Sequence, residues 1–419
     1  MSYKFTVGSL KYNAAIFLAN KGSISKDLVM WFRVGLLGLC SLNYAQAAYG
    51  PEDTVKLNVN LASQYDSNLF KLAENIENTQ TRENGHKADL RLDSKVSGQL
   101  DLILSRQLLH ANADISQINY RNFSELNHNE WNVGLAWDWL LGSRLSGQLS
   151  AKASNRMSSF EDDLFAAQGN RVLDMQRQNS VDWQGILKLK STLSIIATAG
   201  ISTEEHDLKK FIDAKNNTAS LGLRYQTAKG NYISLRHGWR KYTYDIDLPF
   251  RAGFTEQTSS VNLGYSPSNK LIISSSLGLS HWVSAFNDQS QNTPQWDLGL
   301  AWQATDKTSL KIGYGQSFSE FTSGAGRNLD RHMNIGAKWA MTAKMDWNID
   351  ADRRERSFEA AGGNAQRNEN TNSLRIGLNY KALLPLTITS YVRAEQRNSE
   401  VINGNYKDYQ LGLNARFDY

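Results

Sequence analysis

The sequence predicts an all-β fold, a transmembrane antiparallel β-barrel of about 18 strands, and three observations support this prediction. Apolar and polar residues alternate in repeated stretches from Thr54 to Tyr419, and a period of two places alternate side chains on opposite faces of a strand. The connections between the stretches are alternately short and long, as in bacterial outer-membrane barrels. No run of about 18 apolar residues occurs, so no transmembrane helix is expected in the mature chain.

The hairpin between residues 130 and 153 shows the pattern most clearly. Its first strand places apolar residues on one parity, namely Trp131, Val133, Leu135, Trp137 and Trp139. After a short turn at Gly142 and Ser143, the alternation resumes from Leu145 to Ala153. Indole rings near the ends of an apolar strand face are typical of a bilayer interface. A sandwich core also accepts tryptophan, so the prediction depends on the repetition of this hairpin along the chain.

Residues 1–47 are expected to form a signal peptide that is cleaved near Ala47, and residues 48–419 to form the barrel. A basic start leads to an apolar stretch over residues 34–42, and small residues around Ala45 and Ala47 suit a signal peptidase. Because the basic start is unusually long, we hypothesise that translation begins at Met30. The single cysteine, Cys40, lies in this segment, so the mature chain is expected to have no disulfide and no cysteine-based site.

The connections and prolines agree with strands that span a bilayer. Short turns are predicted at residues 142–143, 229–231 and 306–307, and long loops near residues 66–85, 158–170, 246–253, 285–294 and 358–370. The five prolines are expected in turns, loops or strand ends, where a missing amide donor does no harm. The alternative is a soluble all-β array such as a propeller, but no blade motif repeats at about 40–50 residues.

The last strand carries a separate signal. It alternates apolar residues up to Phe417 and ends in the aromatic residue Tyr419. This ending is typical of the segment that bacterial barrel-insertion machinery reads, and a terminal aromatic residue suits an interface girdle. The alternative is an ordinary strand that happens to end the chain.

Charge and motif content argue against several functional classes. The formal net charge of +5 arises from 46 basic and 41 acidic residues that are interleaved, so no nucleic-acid-binding face is predicted. The seven histidines are scattered without metal-ligand spacing, and no nucleophile elbow or phosphate-binding glycine loop occurs. We therefore expect no catalytic residues, no cofactor, no metal site and no enzymatic activity.

The polar parity would face water inside the barrel. The residues that we predict to line the lumen or a substrate path are Arg224, Arg236, Arg240, Tyr242, Tyr244, Lys344, Asp346, Arg375, Tyr391 and Arg393. We hypothesise that the tyrosines stack against sugar rings; the alternative is that they are packing or girdle residues. Arg236 and Arg240 could hold a constriction loop or an acidic glycan, or simply pair with lumenal carboxylates.

The apolar parity would face outer-membrane lipid. The aromatic residues that we predict at the lipid face or its interface are Trp131, Trp137, Trp139, Trp183, Trp239, Trp296, Trp302, Trp339, Trp347, Phe417 and Tyr419.

Two segments resemble a known family. They are Tyr65-Asp66-Ser67-Asn68-Leu69-Phe70, and residues 122–128 followed by Trp137-Asp138-Trp139 and Arg144-Leu145-Ser146-Gly147. They resemble EpsL, an outer-membrane β-barrel family associated with exopolysaccharide biosynthesis. The resemblance implies a pore for a secreted exopolysaccharide, with periplasmic polysaccharide-export proteins as candidate partners.

The resulting hypothesis is an outer-membrane barrel that exports an exopolysaccharide through a passive aqueous pore with a mixed-charge lumen. One alternative is a general or sugar-selective diffusion porin. Another is a structural or adhesive barrel with a plugged pore.

Overall fold

The computed structural model of the chain describes residues 54–74, 87–160, 172–246, 253–285, 288–320, 327–359, 367–400 and 403–419. The predicted signal peptide, residues 1–47, lies outside these ranges and stays a prediction. These ranges contain two short 3-10 helices between strands, Ser124–Leu126 and Lys210–Ile212. Among the described residues, no helix has the length and apolar character needed to cross a bilayer.

The strand count predicted from the sequence is confirmed. The strands, in chain order, are β1 Val55–Asp66, β2 Asp89–Leu104, β3 Gln107–Tyr120, β4 His128–Leu141, β5 Leu145–Met157, β6 Met175–Lys188, β7 Leu193–His206, β8 Ala214–Gln226, β9 Tyr232–Tyr244, β10 Phe254–Ser268, β11 Leu271–Ser284, β12 Ser290–Gln303, β13 Thr308–Glu320, β14 Arg327–Ala340, β15 Met345–Glu359, β16 Arg367–Lys381, β17 Leu386–Ser399 and β18 Tyr406–Asp418. Each strand pairs antiparallel with its sequence neighbours.

The sheet closes on itself because β1 pairs with β18 as well as with β2. In the closing register Val59 lies opposite Phe417, and Leu57 exchanges two backbone hydrogen bonds with Tyr419, at 2.9 and 2.7 Å. A closed barrel has no free strand edge, and every strand can satisfy its backbone groups within the wall. This closure is what allows the chain to cross a bilayer with strands.

The two ends of the barrel differ. One end, here called the turn end, carries the short connections and the C-terminus, as at residues 142–144 between β4 and β5. The opposite end, here called the loop end, carries the longer connections, including those after β1, β5 and β9. The predicted alternation of short and long connections is confirmed, except that the loop predicted near residues 285–294 ends at residue 289, because β12 begins at Ser290.

The outer surface of the barrel is an apolar belt. On β4, Val133, Leu135 and Trp137 are exposed, whereas Gly134, which points inward between them, is buried. The same parity leaves large apolar side chains exposed around the barrel, for example Leu221, Leu235 and Leu277. A surface of exposed leucine and valine on a closed barrel is stable only against lipid. The chain therefore lies in the membrane with this belt against hydrocarbon.

The predicted interface aromatics all lie on the outward parity of their strands. Four of them lie within two residues of the turn end, namely Trp139, Trp302, Trp339 and Trp347. On the last strand, the Phe417 and Tyr419 rings stack with centroids 6.4 Å apart at the same end. Trp131 lies nearer the loop end, and Trp296 lies near the middle of β12. Aromatic residues at the borders of an apolar belt are typical of transmembrane barrels, and a girdle role for these residues stays a prediction.

The proline prediction is partly wrong. Pro385 lies in the β16–β17 turn and Pro267 at the end of β10, but Pro294 lies inside β12. Pro294 pairs with Leu279 of β11, whereas pairing of β12 with β13 begins only at Trp296. A strand tolerates proline where one side of its ladder is open. Pro51 and Pro249 lie outside the described residues.

Candidate functional site: the inner wall of the barrel

The inward faces of the strands bring most of the predicted lumenal residues into the barrel. Arg224 lies on β8, Arg236, Arg240, Tyr242 and Tyr244 on β9, and Asp346, Arg375, Tyr391 and Arg393 on β15 to β17. Lys344 differs, because it lies in the turn between β14 and β15 and is exposed. A lumenal role for any of these residues stays a prediction.

On one side of the lumen, Arg375 lies over the ring of Tyr391, with 4.1 Å between the guanidinium carbon and the ring centroid. The Tyr391 hydroxyl donates a hydrogen bond to Gln64 of β1, at 3.1 Å. Gly412 of β18 faces the edge of the same ring, and a side chain there would overlap it. These three contacts hold the Tyr391 ring against the wall, with one face covered by the Arg375 guanidinium.

On the opposite side, aromatic rings form a cluster at the loop end. Tyr242 stacks on Phe254, with centroids 5.4 Å apart and planes 9° from parallel. Tyr242 also meets Tyr244 edge to face, at 5.2 Å, and Phe254 lies 6.0 Å from Trp282. Tyr242 and Tyr244 are buried. The geometry thus favours the packing alternative over open stacking faces for both tyrosines.

Arg240 connects this cluster to a polar network. Its guanidinium lies over Tyr242 and Phe254, at 5.6 and 5.5 Å from the ring centroids. Its Nε donates to Asn216 at 3.1 Å, and the guanidinium lies 3.9 Å from the Glu256 carboxylate. The buried Glu256 side chain also accepts hydrogen bonds from Ser280 and Gln295. The result is a fixed, charge-balanced patch of the wall.

Arg236 has a different environment. It donates from Nε to the Ser220 hydroxyl at 2.9 Å and from a terminal nitrogen to the Thr198 hydroxyl at 3.2 Å. Within the described part of the chain it forms no ion pair with a carboxylate. Arg224, one strand away, lies over the Tyr232 ring at 4.7 Å. The lumen therefore combines a neutralised arginine, Arg240, with an arginine that is bound only by hydroxyls, Arg236.

A charged site at the loop end was not predicted from the sequence. The residues after β1, 67–74, are here called the mouth segment; Asn68, Phe70, Leu72 and Ala73 are buried in it. Its Lys71, at φ 54°, places the ammonium group among the carboxylates of Asp66, Glu395 and Asp408. These carboxylates point inward from β1, β17 and β18. A lysine in a loop carries no periodic signal, so only its folded position reveals this role.

The mouth segment also packs toward β3. Phe70 meets Phe123 edge to face at 4.7 Å and Phe160 at 5.0 Å, in a cluster with Leu72, Ile118 and Leu126. Two Asn68–Leu72 hydrogen bonds, at 2.8 and 2.9 Å, close the turn. The segment thus lies on the inner wall from β18 to β3 and occupies part of the lumen at the loop end.

The two sequence segments that resemble EpsL have structural roles here. Asp66 accepts a hydrogen bond from the Asn68 amide at 2.8 Å, which starts the turn of the mouth segment. In the second segment, the amides of Asn122 and Phe123 donate to the buried Asp89 carboxylate, at 2.9 and 3.2 Å. Residues 66–70 and 122–123 therefore shape loops at the loop end of the barrel, whereas the remainder of the second segment, residues 137–147, lies at the turn end.

The described residues contain no cluster of three or more histidine, cysteine or acidic side chains placed to hold a metal ion. The inner wall presents hydroxyls, amides and charged side chains of both signs, which are groups that can exchange hydrogen bonds with polar solutes.

Comparison with known proteins supports the fold. A family model described as "Putative beta-barrel porin 2" matches residues 289–419, the part of the chain from β12 to β18. None of the curated proteins matches the sequence significantly. None of the comparisons ties the chain to the exopolysaccharide-associated family that its short segments resemble.

Among solved structures, OccK2 (OpdF) of Pseudomonas aeruginosa in complex with glucuronate is similar with a TM-score of 0.51 and 8% identity, over 87% of this chain and 98% of that chain. OpdK of Pseudomonas aeruginosa with vanillate gives a TM-score of 0.49 at 10% identity, over 87% and 99%. OccAB3 of Acinetobacter baumannii gives 0.48 at 9%, over 87% and 99%. At these identities the similarity to OccK2 shows the fold alone. The chain is an outer-membrane β-barrel with a porin-like fold.

Proposed function

We propose that this barrel is a passive diffusion porin for small hydrophilic solutes. This function was the first alternative to exopolysaccharide export. The observation that carries the proposal is the contrast between the two faces of one closed wall. Leu221 and Leu235 are exposed toward lipid, whereas Ser220 and Arg236, their neighbours in sequence, join a hydrogen-bonded inner surface. A barrel of this strand number encloses an aqueous channel when its interior is polar.

The contents of the mouth favour small solutes over a polymer. The mouth segment is anchored on the inner wall by Lys71 and by Phe70, and so it takes space from the loop end. A small molecule can pass beside the mouth segment in any orientation. A polymer chain must instead pass end-on, so that each of its sugar units contacts the narrowed wall in turn. OccK2, which has a similar fold, was solved with the small sugar acid glucuronate, and this also favours small solutes.

The charges of the wall favour weak ion selectivity. Arg240 and Glu256 form an ion pair, as do Arg393 and Glu395 and Lys338 and Asp346. These pairs contribute little net field along the path, to which Arg236, bound by hydroxyls, adds one positive charge. Cations, anions and neutral solutes are all expected to pass.

The test uses the full-length chain, exported and purified from outer membranes, in planar bilayers and in swelling liposomes. We expect stable, ohmic conductance in salt and swelling rates that fall steeply from monosaccharides to trisaccharides. Folded, heat-modifiable protein without conductance would instead support the plugged structural barrel. Gene deletion in the source bacterium is expected to leave secreted polysaccharide unchanged, and its loss would restore the export hypothesis.

A further inference from the structure

A polar recess of about 470 Å³ opens on the inner wall between β7 and β13. Its volume lies within the range of about 300–1,000 Å³ that is usual for small-molecule sites. The recess exists because strand positions that face the lumen here carry small residues. Gly238 lies between Arg236 and Arg240 on β9, and Gly278 lies on β11. Larger side chains at these positions would fill it.

Hydroxyl groups dominate the lining of the recess. They include Thr218 and Ser220 of β8, Thr258 and Ser260 of β10, and Ser276 of β11. Each hydroxyl can donate one hydrogen bond and accept others. A ligand whose own groups both donate and accept can therefore form several hydrogen bonds with these hydroxyls. Sugar hydroxyls have this property.

Charged groups stand on both sides of the recess. Arg236 lines the recess and is held by Ser220 and Thr198 at 2.9 and 3.2 Å, which uses two of its five N–H donors. Across the recess lie Glu256 and Asp297. A planar guanidinium can donate to two adjacent hydroxyls, and a carboxylate can accept from two others. The two kinds of group together suit a polyhydroxylated ring that offers both.

The balance of charge favours a neutral ligand. Arg240 is already paired with Glu256 at 3.9 Å, and the Asp297 carboxylate lies 3.2 Å from the His332 ring. An anionic ligand would gain from Arg236 but would face the carboxylates of Glu256 and Asp297 across the same space. A neutral ring meets all of these groups without repulsion.

We infer that the recess is a binding subsite for one neutral, hexose-sized polyhydroxylated ring, which makes passage of such solutes saturable. This inference rests on the proposed porin function, because the ligand must reach the wall through an aqueous lumen. It adds substrate preference to a pore that would otherwise discriminate by size alone.

Gly238 gives a direct test. A Cβ atom added at Gly238 would have its nearest neighbours at 3.7 Å, so Gly238→Leu can fill the recess without forcing the backbone. Gly377 on β16 is a matched control: it also faces the lumen, its added Cβ would lie 3.5 Å from the nearest atom, and it is outside the recess. Arg236→Gln, which keeps a polar side chain but shortens it and removes the charge and most of the donors, is the second variant.

The measurement is the current through reconstituted channels in salt as glucose is added, with glucuronate in a parallel series. We expect saturable reduction of the wild-type current by glucose, and a half-saturating concentration raised at least about tenfold in Gly238→Leu and Arg236→Gln. Gly377→Leu should titrate as the wild type.

Ohmic current with no saturable effect of glucose would overturn the subsite while leaving the porin function intact. The same holds if Gly377→Leu weakens the glucose effect as much as Gly238→Leu does, or if glucuronate reduces the current at lower concentrations than glucose. Absence of any conductance would overturn the porin function itself.

Discussion

The ammonium group of Lys71, in the loop that follows β1, is paired with the carboxylate of Asp408 near the start of β18. The Asp408 side chain is fully buried, and that of Lys71 is 14% exposed. The Ser67 hydroxyl and Gln410 amide also donate to Asp408, at 3.0 and 2.8 Å. One pair therefore joins the mouth segment to the strand that closes the barrel.

We predict that Lys71→Met loosens the mouth and lowers stability. Removing the ammonium leaves the buried carboxylates of Asp66, Glu395 and Asp408 without their shared cation, and breaking a buried pair costs about 3–5 kcal/mol. The midpoint temperature of heat modifiability in detergent should fall. Single-channel current should become noisier, with larger open levels, because the segment can leave the inner wall.

Lys407→Met is the control for this prediction. Lys407 precedes Asp408 but lies on the opposite face of β18, where it pairs at 3.0 Å with Glu74, the exposed last residue of the mouth segment. Exposed pairs contribute little, so midpoint temperature and current should match the wild type. Equal effects of the two substitutions would contradict a specific role for Lys71.

A second prediction tests the two faces of β4. Leu135 is 56% exposed on the outward face, and Ala136 is its inward neighbour. An arginine at the lipid midplane of a barrel costs about 2–4 kcal/mol, whereas one in the lumen remains hydrated. Unfolding by guanidinium chloride in liposomes should therefore show a large decrease in the free energy of unfolding for Leu135→Arg and a small decrease for Ala136→Arg. The reverse order would mean that the faces are assigned wrongly.

A third prediction concerns a glycine covered by an aromatic ring. Gly147 of β5 lies opposite Trp139 in the register, and a Cβ atom added there would overlap the indole ring and the Gln184 carbonyl. An aromatic ring over a strand glycine compensates for its missing side chain. Gly147→Val should cost about 1–3 kcal/mol through overpacking and displace Trp139 from the girdle.

Tryptophan fluorescence and heat modifiability measure this effect. Gly98→Val on β2 is the comparison, since its added Cβ atom would meet only Leu57, at 3.4 Å. If Gly98→Val lowers the midpoint temperature as much as Gly147→Val, the ring contact is not the cause.

The fold followed closely from sequence because strand periodicity is a local property. Alternation placed Trp137, Trp139 and Leu135 on one face without knowledge of any neighbour, and the structure agrees. The strand boundaries were predicted less well. Lys344 was assigned to the lumen but lies in a turn, and Pro294 was assigned to a loop but lies within β12, where one side of that strand is unpaired. The alternation within one strand does not show where its hydrogen bonding to a neighbour ends.

The inner wall could be predicted only in part. Parity assigned Tyr242 and Tyr391 to the polar face of their strands, but it did not predict that the ring of Phe254 and the guanidinium of Arg375 lie against them. Such contacts depend on the register between strands, which alternation alone leaves open. The ion pair between Lys71 and Asp408 joins residues at opposite ends of the barrel sequence, and only closure brings them together.

The most direct test of the central claim uses one pair of adjacent residues on β10. Ser260 faces the lumenal recess and Val261 faces lipid, and an introduced cysteine would be the only one in residues 48–419. A charged, membrane-impermeant thiol reagent should reduce single-channel conductance of Ser260→Cys and leave Val261→Cys unchanged. Reaction at position 261 with no effect at position 260 would contradict a water-filled lumen behind a lipid-facing belt.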